Sequence, residues 1–515
     1  MPITDTRSPS EDYVGLRWAR AQGTRLRARI PAEPALAILA FTIFAAVLAY
    51  VMAPMATAGF GFVDDHEIVA ILGPTHHVGV TDLPAKIAQW AIDGNGRFRP
   101  GYYTLRVLEA TAVGANPQIW YLDRYLLGLV AAGALLGLAY GYVKRLPLLV
   151  LPLMLLAGPQ AEIWTRLGPQ ESYAVPIVLV GLAMIRWRHQ TAGLILLMAA
   201  GLVKESFILL LPAVIAWLAW RQGRNAWKTI LVVGIVGILE GSGVLVEIAR
   251  YGAPYAQTRT LGSAVDAARY LLVQFGRQSG WYLAVLLGLA AAIPLQSRPR
   301  VRTALIVGGA AFVLVFLPQA FFYGGQPADY EGRYFFPALF FAMLVVILGL
   351  WTVEGAPGSR TLMAASIVVA LVCGLLMAPQ VRTAHVTADA ASANSRSFQA
   401  GISSVEVLLE RSPSSWVVLR PAASTSYEAD IAVQEFLMNS NSIPRGIAIE
   451  APPLAAGSSP GDQRLHAWLV QLATNGGSGF QALGNDPSPA TCIEVDFSQT
   501  LANARCSQVV TILGL

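Results

Sequence analysis

Eleven apolar runs divide this chain, at about 34–56, 120–143, 146–158, 172–186, 191–203, 206–220, 229–248, 280–296, 303–322, 334–352 and 361–379. They constrain the fold more than any other feature. Lipid offers a peptide group no hydrogen-bond partner, so a chain that crosses a bilayer repeatedly does so as helices. With 55% of its 515 residues hydrophobic and 13% charged, the chain has the composition of a membrane protein. The runs predict a polytopic α-helical membrane protein with about 11 transmembrane helices. The runs at 191–203 and 206–220 are short for a bilayer. They predict a hairpin whose tip lies inside protein, within the outer boundary of the membrane.

Charge gives the orientation. Residues 1–33 carry Arg17, Arg20, Arg25, Arg27 and Arg29 and read as a basic cytoplasmic tail. With that tail inside, the basic clusters at 144–145, 186–188, 221–228 and 298–302 also fall inside. The net charge of +5 is thus spent on topology, and no basic-aromatic patch suggests nucleic acid. Five polar segments, 64–67, 97–109, 162–171, 204–205 and 329–333, then share the external face. So does the polar remainder, 381–515. There Ser415–Leu419 and Cys492–Asp496 read as strands, and Ile431–Met438 and Leu465–Ala473 as helices, which predicts a small α/β domain. Cys492 and Cys506 are close enough in sequence to close a loop of about fifteen residues, as a disulfide outside the cytosol would. The expected organisation is a tail (1–33), a transmembrane domain (34–380, with a first external loop at 57–119) and an extracytoplasmic domain (381–515).

The chemistry concentrates in Asp64-Asp65-His66-Glu67, just beyond the first apolar run. Carboxylates beside a membrane are expensive to bury and mark function more often than packing. Asp64 and Asp65 offer a general base, or ligands for a hard cation such as Mg²⁺ or Mn²⁺. His66 suits a hydrogen-bonding role, and Glu67 can cap the following helix. Arg97 and Arg99 precede Pro100, which suits the first turn of a helix carrying Tyr102, Tyr103, Arg106 and Glu109. A guanidinium fork matches phosphate oxygens; a salt-bridged scaffold is the alternative. Lys204-Glu205 lies at the hairpin tip, where burial costs more than it returns unless the pair has partners. Arg333 and Tyr334 enter a late apolar run among aromatics, fit either to clamp a lipid-linked phosphate or to snorkel. Arg166 and Glu171 are weaker candidates of the same kind. Glu240 and Glu247 are carboxylates left within a span, and Glu240 could hydrogen-bond to a neighbouring helix.

In order, spacing and sidedness these segments resemble the C-type membrane glycosyltransferases, the GT-C fold, of the protein O-mannosyltransferase and aminoarabinose-transferase type. The resemblance rests on Asp64-Asp65-His66-Glu67 in the first external loop, Arg99-Pro100 about thirty residues later, Lys204-Glu205 in a mid-chain hairpin, and Arg333-Tyr334 with Pro337 entering a late span. It covers about 34–380. The resemblance implies transfer of a sugar from a polyprenyl-phosphate donor to a glycan, lipid or protein acceptor outside the cytosol. Asp65 would be the base and Asp64 its helper or a metal ligand. Arg99, Lys204 and Arg333 would hold the donor phosphate, with Arg97, His66, Glu67, Glu205, Tyr334, Arg166 and Glu171 around the substrate. Ala, Gly and Arg richness suggests a bacterial inner membrane, with the site periplasmic. A flippase for lipid-linked sugars, a polysaccharide polymerase or ligase, and an assembly protein are the competing classes.

Overall fold

The structure, a computed structural model, describes residues 32–61, 64–74, 77–92, 97–141, 147–251, 299–323, 360–421, 427–451, 460–477, 479–482, 491–497 and 504–512. The expected spans at 280–296 and 334–352, and the segment holding Arg333 and Tyr334, lie outside these residues.

The membrane part opens with α1 (Ala32–Met52), extended by a 3-10 turn at Ala53–Thr57. The first external loop carries α2 (His66–Leu72), α3 (Leu83–Ile92) and α4 (Pro100–Val113). Then come α5 (Pro117–Ala139), the short α6 (Pro147–Val150) and α7 (Glu162–Thr165), and α8 (Glu171–Arg186). The hairpin is α9 (Gln190–Val203), a 3-10 turn at Glu205–Leu210 and α10 (Leu211–Gln222), followed by α11 (Trp227–Tyr251) and α12 (Pro299–Tyr323). Among the described residues three helical stretches, Pro34–Thr57, Pro117–Ala139 and Gly223–Arg250, are long and apolar enough to cross a membrane; Gln190–Val203, Glu205–Trp220 and Ile306–Gln319 are shorter apolar helices. The protein is thus a multi-pass membrane protein. Ile238, Leu239 and Leu314 stand exposed on outward faces, where lipid takes the place of water.

Sequence explains the packing locally. Pro100 begins α4, where its missing N–H costs nothing. Asn116 caps α5 by accepting from the Gln118 backbone N–H at 3.0 Å. The α8–α9 pair approaches closely because Gly181 and Gly193 face each other, and a methyl on either would meet the other's carbonyl. Phe44 and Leu48 of α1, Ala131 and Leu135 of α5, and Trp164 of α7 share one apolar core.

The boundary expected at 380 is not a break in the backbone. One 52-residue helix, α13 (Arg360–Arg411), runs through it without interruption despite Pro379. At 1.5 Å per residue it is about 78 Å long. Its polar half lies along the end of α1. The His385 ring stacks on Tyr50 at 4.3 Å and its Nδ1 donates to the Tyr50 carbonyl at 2.8 Å. Ser392 Oγ donates to the Pro54 carbonyl at 2.8 Å, and Arg396 Nη1 to Thr57 Oγ1 at 2.7 Å.

Beyond α13 the chain forms β1 (Trp416–Arg420), α14 (Tyr427–Met438), β2 (Gly446–Ile449), α15 (Pro460–Asn475), β3 (Cys492–Asp496) and β4 (Gln508–Thr511). The sheet order is β2-β1-β3-β4, with every pairing parallel. Val417, Ile447 and Ile493 align across three strands and bury against Phe398, Ile402 and Val405 of α13. Both expected strands and both expected helices form. Cys492 and Cys506 are joined as a disulfide, with their Cα atoms 5.3 Å apart.

Candidate functional site

The acidic segment is folded into a buried corner. Asp64 sits at φ 60°, a left-handed conformation that Asp and Asn adopt more readily than most residues. Its side chain lies directly against Gly168, where any Cβ would collide with it. Gly168 thus admits the acidic loop to the segment 162–171. Asp65, 3% exposed, accepts a hydrogen bond from the Gly61 N–H at 2.7 Å through Oδ2. Burial pushes its carboxyl up to about 7; Asp64 adds to the rise, while the Gly61 bond and the charges of Arg106 and Arg166 oppose it. Glu67, in the first turn of α2, accepts from the Tyr102 hydroxyl at 2.7 Å, and that hydroxyl also lies 3.3 Å from the Gly168 carbonyl. Burial holds the Tyr102 phenol well above its ordinary pKa, so it remains a donor. The Nδ1 of His66 is buried without a hydrogen-bond partner.

The cations surround this corner. The Arg99 guanidinium lies 5.5 Å from the Tyr102 ring centre and 5.6 Å from that of Tyr103. Arg97 Nη1 is 3.3 Å from Glu205 Oε1. Lys204 is buried: Nζ donates to Gln170 Oε1 at 3.1 Å, and lies 3.6 Å from Glu171 and 4.0 Å from Glu205. The exposed turn that the hairpin could have made is therefore excluded. Arg166, just past the end of α7, pairs with Glu162 at its start, at 2.5 Å.

Beneath these groups lies a layer to which sequence alone assigns no separate role. Arg106 is wholly buried between the rings of Tyr102 and Trp120, 5.4 and 5.3 Å away, and none of its three nitrogens has a hydrogen-bond partner. Arg124 Nη2 donates to both Glu109 oxygens, at 2.9 and 2.8 Å, and lies 2.6 Å from the Tyr173 hydroxyl, which bonds Glu109 in turn. Arg124 carried a usable signal, because a charge within an apolar span is itself a marker. Arg106 carried less, being one polar residue among several on α4. Four of the five polar segments thus meet in one cluster, and the fifth lies outside the described residues. Glu240 stands apart. It occupies the notch left by Gly201, and neither of its oxygens is hydrogen-bonded.

Among the described residues no group of three or more His, Cys, Asp or Glu side chains is placed to hold a metal ion. Asp64 and Asp65 supply two carboxylates, and Mg²⁺ is commonly held by one or two carboxylates together with water and substrate phosphate.

The C-terminal unit closes over the corner. The Phe436 ring of α14 lies 6.4 Å from Phe60 and 5.3 Å from Phe398, and Asn439 fills the space beside Gly73 at the end of α2.

The fold is similar to that of ArnT from Cupriavidus metallidurans, in a crystal structure bound to undecaprenyl phosphate. The TM-score is 0.41 at 14% identity, over 77% of this chain and 74% of that one. No protein-family model and no curated protein matches the chain.

Proposed function

We propose that the chain is a membrane glycosyltransferase of the GT-C fold. It moves a sugar from a polyprenyl-phosphate donor to a glycan, lipid or protein acceptor on the extracytoplasmic face. The observation that carries this reading is Asp65: a buried carboxyl brought to about 7, at the meeting point of four polar segments rich in arginine. A general base works best with a pKa near the working pH, and burial among specific charges is how proteins arrange that.

The chemistry follows from the leaving group. A phosphate departs without a general acid, so one carboxylate suffices where a glycosidase needs two. Asp65 takes the proton of the acceptor hydroxyl. The hydroxyl oxygen attacks the anomeric carbon, and the bond from that carbon to the phosphate oxygen breaks. The phosphate gains a second negative charge, which Arg99, Lys204 and Arg333 offset. A single displacement inverts the anomeric centre. Glu205, Glu171 and Gln170 hold Lys204, and Arg97 holds Glu205, while Tyr102 and Gly168 hold Glu67 and Asp64 in place. No step is assigned to a metal.

Sidedness is supported twice. The basic clusters favour a cytosolic N-terminus, and the Cys492–Cys506 disulfide belongs to a unit packed on the acidic loop. For a bacterial protein that compartment is the periplasm.

A carrier of lipid-linked sugars is the second reading. It draws on Glu240, an intramembrane carboxyl without a hydrogen-bond partner. One experiment separates the two. Purified protein in lipid nanodiscs is given a panel of polyprenyl-phosphate sugars with candidate acceptors, wild type beside Asp65→Asn. Transfer by the wild type alone supports the enzyme. Donor binding without transfer, combined with flipping in proteoliposomes that Glu240→Gln abolishes, supports the carrier.

A further inference from the structure

The acidic corner is fastened from an unexpected direction. The strand of chain that leads into it, Ala58 to Gly61, is held at three points. Gln118 Nε2 of α5 donates to the Ala58 carbonyl at 3.0 Å, and the Tyr121 hydroxyl, also on α5, lies 3.4 Å from the Gly59 carbonyl. The third point belongs to the C-terminal part of the molecule. The buried Gly59 N–H donates to Ser395 Oγ of α13 at 3.0 Å. Ser395 spends its own proton on the Ser392 carbonyl at 2.8 Å, which leaves the oxygen free to accept. Two residues later the Gly61 N–H donates to Asp65. Gln399, one turn beyond Ser395, fills the space at Gly59 so closely that any Cβ there would collide with it.

From this we infer that Ser395 is a positioning residue for Asp65, and that the C-terminal unit acts in the reaction by fixing the backbone that orients the base. The inference rests on the reading of Asp65 as that base. Ser395 touches neither substrate nor the reacting atoms. It acts through three residues of backbone: Ser395 fixes the Gly59 amide, the chain fixes Gly61, and Gly61 fixes one carboxylate oxygen. Removing the hydroxyl orphans a buried N–H, and the strand relaxes toward another acceptor. A displacement of about 1 Å at a catalytic group costs up to about 100-fold in rate. Donor binding by the cations of α4 and the hairpin is untouched by that shift, so the loss falls on kcat.

The neighbouring seam supplies the control. Ser392, one turn earlier on α13, also ties the end of α1, donating to the Pro54 carbonyl, but Pro54 lies before the strand that reaches Asp65. The test compares Ser395→Ala, Ser392→Ala and Asp65→Asn in the full-length protein in nanodiscs, reading kcat, donor KM and thermal unfolding. The expected result is a loss of about 10- to 100-fold in kcat for Ser395→Ala, with KM within about twofold. Ser392→Ala keeps kcat while losing similar thermal stability. Equal kcat for Ser395→Ala and wild type, or an equal loss in both serine variants, overturns the inference while leaving Asp65 as base. Wild-type turnover by Asp65→Asn removes the base assignment and the inference with it. Gly59→Ala gives a second approach from the other side of the contact. It lowers kcat by pushing the strand off Gln399, and Gln399→Ala in the same chain restores it. Failure of that restoration also overturns the inference.

Discussion

Two clusters of charge among the described residues are treated differently. At the carboxyl ends of the C-terminal strands, Arg420 bonds Glu494 at 3.1 Å and lies 3.5 Å from Glu450, with Arg505 3.8 Å from Glu450 on its other side. The second Glu494 oxygen accepts from the Arg505 and Cys506 backbone N–H groups at 2.6 and 3.3 Å. Each charge in that knot has a partner. In the acidic corner the arithmetic is left open. Asp65 has one backbone donor, Arg106 has aromatic rings but no acceptor, and Arg99 lies over two tyrosines. Burying a charge without a full set of partners is costly, and a fold keeps such an arrangement where something else is gained. The paired knot stabilises a sheet, whereas the sparsely bonded Asp65 and Arg106 are the groups that the proposed donor and acceptor site would draw on. Asp430, buried in α14 with neither oxygen hydrogen-bonded, is an exception to this contrast within the C-terminal unit.

That contrast can be tested in order of expected effect. If Asp65 is the base as proposed, Asp65→Asn lowers kcat by about 10²- to 10⁴-fold, measured as sugar transfer. The wild-type rate falls as pH drops through about 7, because Asp65 must be ionised to accept a proton. Its folded pKa lies above the ordinary 3.8, so the buried carboxyl favours folding only while protonated, and that contribution is lost as pH rises through 7. Asp65→Asn therefore raises the unfolding midpoint at pH 8, by about 2–4 °C per kcal/mol recovered. A midpoint unchanged or lowered at pH 8 shows that Asp65 is compensated, and the contrast breaks.

Lys204→Met comes next. It strands Glu171 in the interior, leaves Glu205 with Arg97, and costs about 3–5 kcal/mol, read as loss of folded protein in detergent. Arg99→Ala weakens donor binding by about 10- to 100-fold, the worth of one or two charge-assisted hydrogen bonds, with little change in unfolding. Breaking the Cys492–Cys506 bond by Cys→Ser costs about 3 kcal/mol in the C-terminal unit. Arg420→Ala is the smallest. Its partly exposed pairs are worth at most about 1 kcal/mol, and kcat stays at the wild-type value. A large kcat loss there means that the paired knot also serves the reaction.

Much of this layout was legible in the residues. Apolar runs placed α1, α5, α8 and the α9–α10 hairpin within a few residues, because burial in lipid leaves a coarse mark on composition. The motif segments were legible because charge is rare in such a chain. Their convergence was not, since it depends on which face each short helix presents; Asp64 reaches Gly168 only through a left-handed backbone turn. Arg106 was hidden because its importance lies in what it lacks. The end of α13 was misjudged for a different reason. Hydropathy falls at 380 because the surroundings change from lipid to water, but the run Val381 to Gln399 is free of Gly and Pro and rich in Ala, and its helix continues.

The seam between α1 and α13 also has a consequence in time. Its partners, Tyr50 with His385, Pro54 with Ser392, Gly59 with Ser395 and Thr57 with Arg396, are 335 to 339 residues apart. At the ~5–20 residues per second of synthesis, the acidic segment waits roughly 17 to 70 seconds for the helix that fastens it. Until α13 leaves the ribosome, the strand before Asp65 lacks its Ser395 tie. The first loop of this protein to be made is among the last to be finished.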